Sequence, residues 1–256
     1  MNRKAILIEA SNVKGETLLP GAKKDVDNWK AFLKSPLGGF WAEEEITVLT
    51  KPSSFSVSLL LGMFTESDRY CFVAFSGHGT NGNVVLNDTE KSVSYATLTP
   101  RSGKGTLIID SCRGAANAVA FAKAGGVVRN SIYEGAHSAP LSASNGMPSF
   151  SYKDAWLTAL KAAKSGKVTM LSCSEGQSAN EDPSSGGYYT SLLMEGARKW
   201  EQITPKQVEI FTTKNAHDYA ALKLPQQQKP EYKPPNLSFP FAVKLPPPPP
   251  HLYRQY

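Results

Sequence analysis

The chain has 256 residues, 41% hydrophobic and 20% charged, which suits a soluble globular fold of one large domain or two small ones. Of the net +6, a balance of +4 falls from Lys214 onward, and the preceding 213 residues are nearly neutral. A near-neutral body argues against nucleic-acid binding, and no apolar stretch approaches the length of a membrane span. No metal site is expected, since the three cysteines (Cys71, Cys112, Cys173) lack a CxxC pair and the four histidines lack HxxxH spacing.

The N-terminus, MNRKAILIEA, holds only a four-residue apolar run before Glu9, too short for a secretory signal, so the expected location is the cytoplasm. KAILIEA (4–10) reads as a first strand, and Ala22, Val26, Trp29 and Leu33 recur at helical spacing before Gly38-Gly39. EITVLT (45–50) is a second strand, and 53–66 a helix opened by Ser53. YCFVAF (70–75) and GTLIID (105–110) are continuous apolar runs, as expected of strands covered on both faces. NVVLND and SVSYATL between them suggest a small hairpin or a short helix.

Residues 114–151, rich in Gly, Ala and Ser, read as a long flexible loop. A helix over 154–164, a strand over 167–173 and a helix near 187–200 follow. TPKQVEIFTTKNA reads as a further helix, and NLSFPFAV, within 237–244, as a last edge strand. Ten of the eighteen prolines lie between Pro225 and Pro250, five of them consecutive, so a domain over 1–224 is followed by a proline-rich C-terminal segment, 225–256, that includes this last strand. Its run reads as a stiff terminal spacer.

The chemistry concentrates at two places, AFSGHGT and IIDSCRG, each directly after a strong strand. In open parallel sheets the carboxyl ends of the strands form the ligand crevice, so His78 and Cys112 would meet on one rim. A cysteine nucleophile needs an imidazole to take its proton, and nearby glycines let backbone amides approach a reacting carbonyl. Cys71 and Cys173, inside strands, read as packing residues.

FSGHG followed by IIDSCRG resembles the caspase-like cysteine peptidases, the clan of caspases, metacaspases and prokaryotic relatives. LPGAKKDVDNW, LSCSEGQSANEDPSSGGYYTSLL and QQQKPEY extend the resemblance over about residues 3–244. Asp110-Ser111 stands where caspases carry Gln-Ala, which makes the resemblance closest to prokaryotic metacaspase-like members. It implies an α/β three-layer sandwich around a mostly parallel six-stranded sheet, and an endopeptidase acting on protein or peptide substrates. His78 would be the base, Cys112 the nucleophile, and the Gly79 and Cys112 amides the oxyanion donors.

The resemblance adds Asp25 and Ser76 as walls of the substrate (S1) pocket. Asp110, two residues before Cys112 on an extended segment, would face the same pocket. Two carboxylates there favour cleavage after Arg, then Lys, and disfavour Asp. Arg113 should point away from Cys112 and receives no catalytic role. The connection after the nucleophile is often cut in the family, so Lys123, Arg129 and Lys153 are candidate self-cleavage sites, Arg129 foremost. Many metacaspases bind calcium through aspartates, but here no acid follows Cys112 until Glu134, so no calcium and no other cofactor is expected. With no recognisable sensor segment, an activating partner protein is expected. The competing reading is an inactive scaffold that binds partners, and the intact Cys–His pair weighs against it.

Overall fold

A computed structural model describes residues 2–66, 69–114, 149–202, 205 and 207–247. In chain order its first half comprises β1 (Arg3–Ala10), α1 (Pro20–Lys34), β2 (Ile46–Thr50), α2 (Ser54–Gly62) and β3 (Tyr70–Gly77). Three two-residue strands follow, β4 (Gly79–Thr80), β5 (Asn83–Val84) and β6 (Val93–Ser94), then α3 (Tyr95–Leu98) and β7 (Lys104–Asp110). The second half comprises α4 (Ser149–Ala162), β8 (Gly166–Leu171), β9 (Glu181–Asp182), β10 (Gly186–Gly187), α5 (Tyr188–Glu201), β11 (Glu209–Thr212), α6 (Thr213–Lys223), β12 (Glu231–Lys233) and β13 (Pro240–Lys244).

Six strands form the main sheet in the order β12-β8-β7-β3-β1-β2. Every pairing is parallel except β12 with β8, so the expected α/β sandwich with a mostly parallel six-stranded sheet is the architecture found. β1, β3 and β7 are buried along almost their whole length, which explains why their sequences do not alternate.

One core lies between the sheet and α1, α4, α5 and α6, and a second lies on the opposite face beneath α2 and α3. α1 buries Ala22, Val26, Trp29 and Leu33, the residues that carry its period, and begins with Pro20 in the first turn, where no backbone donor is needed. Trp29 anchors the first core, its ring 5.1 Å from Phe72 on β3 and 5.9 Å from Phe241 on β13. α2 starts where Ser53 caps it, accepting from the Ser56 amide at 3.1 Å. Its outward face is apolar, with Phe55, Leu59 and Met63 exposed at 74%, 59% and 63%.

Several expectations need correction. TPKQVEIFTTKNA is not one helix: Glu209–Thr212 forms β11, and α6 starts only at Thr213. The Glu-Ile-Phe-Thr run has strand-forming side chains, and Thr212 caps the helix by accepting from the Asn215 amide at 3.2 Å. The strand within 237–244 exists as β13, but it pairs with β11 in a separate two-stranded sheet. The edge of the main sheet is instead β12, too short to register as a strand by pattern. β8 ends at Leu171, so Cys173 lies beyond the strand, although it is fully buried.

The loop expected over 114–151 ends earlier, because α4 begins at Ser149. Lys153 is therefore a helical residue, and its ammonium pairs with Glu45 at 3.2 Å. The same Glu45 holds the buried Arg3 guanidinium, which stacks 4.2 Å from the Trp41 ring. A peptidase needs an extended substrate segment, so Lys153 is withdrawn as a cleavage site. Lys123 and Arg129 lie outside the described residues, as does 248–256 at the end of the proline-rich segment. Up to 247 that segment packs with the body: β12 joins the main sheet, and Phe239, Phe241 and Val243 belong to the first core.

Trp29 is 2% exposed and touches the sheet and β13 at once. Trp29→Ala should lower unfolding free energy by about 3–5 kcal/mol, measured as a reduced urea midpoint.

Candidate active site

β3 and β7 are adjacent and parallel, with Ser76 opposite Asp110 at their last shared rung. The chain leaves β3 through Gly77 into His78, and leaves β7 through Ser111 into Cys112. Both side chains thus emerge from the carboxyl end of the sheet, on neighbouring strands, and both are half-buried.

His78 is held by a backbone group that no residue type singles out. Its Nε2 lies 2.6 Å from the Thr17 carbonyl oxygen, in the connection between β1 and α1. A carbonyl can only accept, so Nε2 carries the proton and Nδ1 holds the lone pair. Because the contact is to main chain, residue type at 17 carries no signal of it.

The Cys112 thiol lies 3.7 Å from the Ala179 carbonyl, the acceptor it faces. Burial pushes the thiol's pKa up, and the nearby Asp110 and Glu181 carboxylates add to the shift. The Cys112 amide has no acceptor among the described residues. Gly79 packs so closely on the residue before the nucleophile that a Cβ there would lie 2.4 Å from Ser111 Oγ. No larger residue fits without moving that turn.

Asp25, Ser76 and Asp110 come together below this rim. Ser76 Oγ donates to Asp25 Oδ2 at 2.6 Å, and the Gly187 amide donates to Asp25 Oδ1 at 2.8 Å. Asp110 Oδ2 accepts from the Thr190 amide at 3.1 Å and from its hydroxyl at 2.7 Å, in the first turn of α5. Gly187 lies between the two acids: a Cβ there would meet Asp110 Oδ2 at 2.4 Å and Asp25 Oδ2 at 2.9 Å. Burial raises the pKa of both carboxyls, and repulsion from Asp110 raises Asp25 further, well above the usual carboxylate range.

A third acid, not anticipated from the sequence, completes the group. Glu181 on β9 pairs with Gly187 and reaches the amides of Gly21 and Ala22 at the start of α1. Burial, with repulsion from Asp110, raises its pKa to about 7 against the opposing pull of those amides. Gly187 and Thr190 were likewise missed: both lie far along the chain, and Gly187 acts through its backbone amide, Thr190 through its amide and hydroxyl. Among the described residues no group of three or more His, Cys, Asp or Glu side chains is arranged to hold a metal ion. Nor, among them, is any helix long and apolar enough to cross a membrane. Cys71 and Cys173 have thiol pKa values pushed up to about 12, chiefly by burial, and are poor nucleophiles at neutral pH.

A family model described as Caspase domain matches residues 2–241. Among solved structures, the crystal structure of caspase-1 from Spodoptera frugiperda shares the fold. The TM-score is 0.56 at 16% identity, covering 90% of this chain and 87% of that one. No curated protein matches the chain significantly.

The acid pair should be visible in stability. A carboxyl whose folded-state pKa is raised binds more protons in the folded than in the unfolded chain, so stability falls as pH rises above its unfolded value, 3.8 for Asp25. Asp25→Asn removes that loss while keeping an acceptor for the Gly187 amide. The difference in Tm between Asp25→Asn and wild type should move in the variant's favour as pH is raised from 4 to 8, measured by thermal denaturation.

Proposed function

The chain belongs to the caspase domain family, and from that premise we propose a cysteine endopeptidase that cleaves after Arg, and less well after Lys. Within the family this reading sets the protein beside the metacaspase-like members, because it rests on carboxylates where caspases carry none before the nucleophile. Cys112 is the nucleophile. His78, whose Nε2 proton is engaged by Thr17, takes the thiol proton at Nδ1. The thiolate attacks the scissile carbonyl, and the Gly79 and Cys112 amides receive the developing oxyanion. His78 then returns its proton to the leaving amine, and water hydrolyses the thioester with the same imidazole as base.

The raised thiol pKa supports a nucleophile that stays protonated until the base acts. All three cysteines are free thiols, which suits a reducing compartment such as the cytoplasm. No step requires a metal or a cofactor, and an activating protein partner remains part of the proposal.

One observation carries the specificity. Asp25 and Asp110 are 1% and 6% exposed and flank the same glycine. Two buried carboxylates that close repel one another, and the forked donors of an arginine side chain can satisfy both. An aspartate there would add a third negative charge. The test is a peptide library varied at the cleaved position, run on wild type, Asp25→Ala and Asp110→Ala, with Cys112→Ala and His78→Ala as controls. Wild type should prefer Arg over Lys and leave Asp uncut, and each Asp variant should lose its Arg preference by about 10-fold or more. A wild-type preference for Asp, or an Arg preference untouched in both variants, would sink the specificity. Near-normal cleavage by Cys112→Ala would sink the enzyme.

Glu181 supplies a pH signature. With its pKa near 7, it is neutral below that value and adds a negative charge beside the pocket above it. For Arg substrates kcat/KM should therefore rise with pH through about 7. Glu181→Gln should flatten this step, read from kcat/KM profiles between pH 5.5 and 9.

A further inference from the structure

Arg113 follows the nucleophile directly and was expected to play no part in the chemistry. The structure gives it more to do. Its side chain is 8% exposed, so a permanent positive charge has been taken out of water. Nη1 lies 2.7 Å from Glu231 Oε1 on the edge strand β12 and donates to the Cys173 carbonyl at 3.1 Å. Nη2 donates to Asn81 Oδ1 at 3.2 Å. The Arg113 amide donates to the Gln177 carbonyl at 2.8 Å, and its own carbonyl accepts from Gly176 at 3.0 Å. Its Nε is buried without a partner among the described residues, so the terminal nitrogens set the placement of the guanidinium.

These contacts join four separate pieces of chain. Asn81 lies three residues after His78 and two after Gly79, and its amide reaches on to Glu175 in the loop following β8. Cys173 and Gln177 belong to the segment that leads to Ala179, the carbonyl facing the thiol. Glu231 fixes the far side, with Lys233 on its other oxygen at 2.7 Å. One planar fork thus spans the β4–β5 turn just beyond His78 and Gly79, the turn after β7, the loop after β8 and the sheet edge.

We propose that Arg113 is a positioning residue that holds the turn bearing Cys112 in register with the turn bearing His78 and Gly79. It touches no substrate and acts through Asn81 on one side and the 173–177 loop on the other. Lysine cannot replace it, because an ammonium lacks the flat fork that reaches an amide, a carbonyl and a carboxylate together. A small slip between the two turns lengthens the thiol–imidazole path and moves the Gly79 amide away from the oxyanion. Misplacements on the order of 1 Å cost about 100-fold in rate.

This proposal rests on the Cys112–His78 reading, and the experiment separates the two. Full-length wild type, Arg113→Lys, Arg113→Met, Asn81→Ala and His78→Ala are compared in two assays. One is kcat and KM on an Arg fluorogenic peptide. The other is the pH profile of Cys112 alkylation by iodoacetamide, followed by mass spectrometry. Arg113→Lys and Arg113→Met should lower kcat by about 10- to 100-fold with KM within about two-fold, since the acid pocket is untouched. Their alkylation profiles should move to higher pH, toward that of His78→Ala. Asn81→Ala should give a smaller shift of the same sign that adds nothing in the Arg113→Met background. Because Met could cost folding, Lys is the deciding variant. Folded Arg113→Lys with wild-type kcat and a wild-type alkylation profile, beside an altered profile in His78→Ala, would overturn the positioning role alone. A His78→Ala profile equal to wild type would overturn the base assignment, and the positioning role with it.

Discussion

A carboxylate stays inside a folded protein only where donors face it, and Asp25 meets that condition with donors from two distant parts of the chain. The carboxyl belongs to α1, one donor is Ser76 at the end of β3, and the other is the Gly187 amide on β10. Asp110 repeats the pattern from the end of β7, with Thr190 at the start of α5. These contacts fasten the β9–β10 hairpin and α5 over the carboxyl end of the sheet. Repulsion between the acids works against the same assembly, so the site holds electrostatic strain that its own hydrogen bonds offset only in part. A cation between them relieves it.

The parallel register does the remaining alignment. Because β3 and β7 run side by side, Ser76 and Asp110 occupy one rung, and the residues two places on emerge from one edge. The turns beyond the strands are the less constrained part. There the order comes from individual polar contacts: the Thr17 carbonyl on His78, the Arg113 fork, and Ser111 packed under Gly79. Rigid strands and tethered turns divide the work between coarse and fine placement.

What the sequence revealed follows from the same division. Buried parallel strands declare themselves through unbroken apolar runs, and β1, β3 and β7 were legible for that reason. His78, Cys112, Asp25 and Asp110 were legible because their side chains belong to motifs. Thr17, Gly187 and the amide of Thr190 were not, since a backbone group leaves no mark in residue type. Glu181 lay within a quoted segment, but only the hairpin register brings it beside Gly187. β11 and β12 were missed for a different reason. Four- and three-residue strands at sheet margins hold too few residues to establish a period, and pairing partners settle their state.

The separation along the chain of the groups that meet at Asp25 bears on how the protein is made. Asp25 and the Gly187 amide are 162 residues apart, and Asp110 and Thr190 are 80 apart. A ribosome that has just added Cys112 has already produced the proposed base and nucleophile, yet Gly187 and Thr190, which hold the two acids, remain unsynthesised. They appear about 75 residues later, with the strand and helices that close the first core. The nascent chain therefore carries a thiol and an imidazole without the assembled pocket proposed to hold a basic side chain. On the proposed reading, chain order alone delays cleavage of neighbouring proteins until the domain is nearly whole.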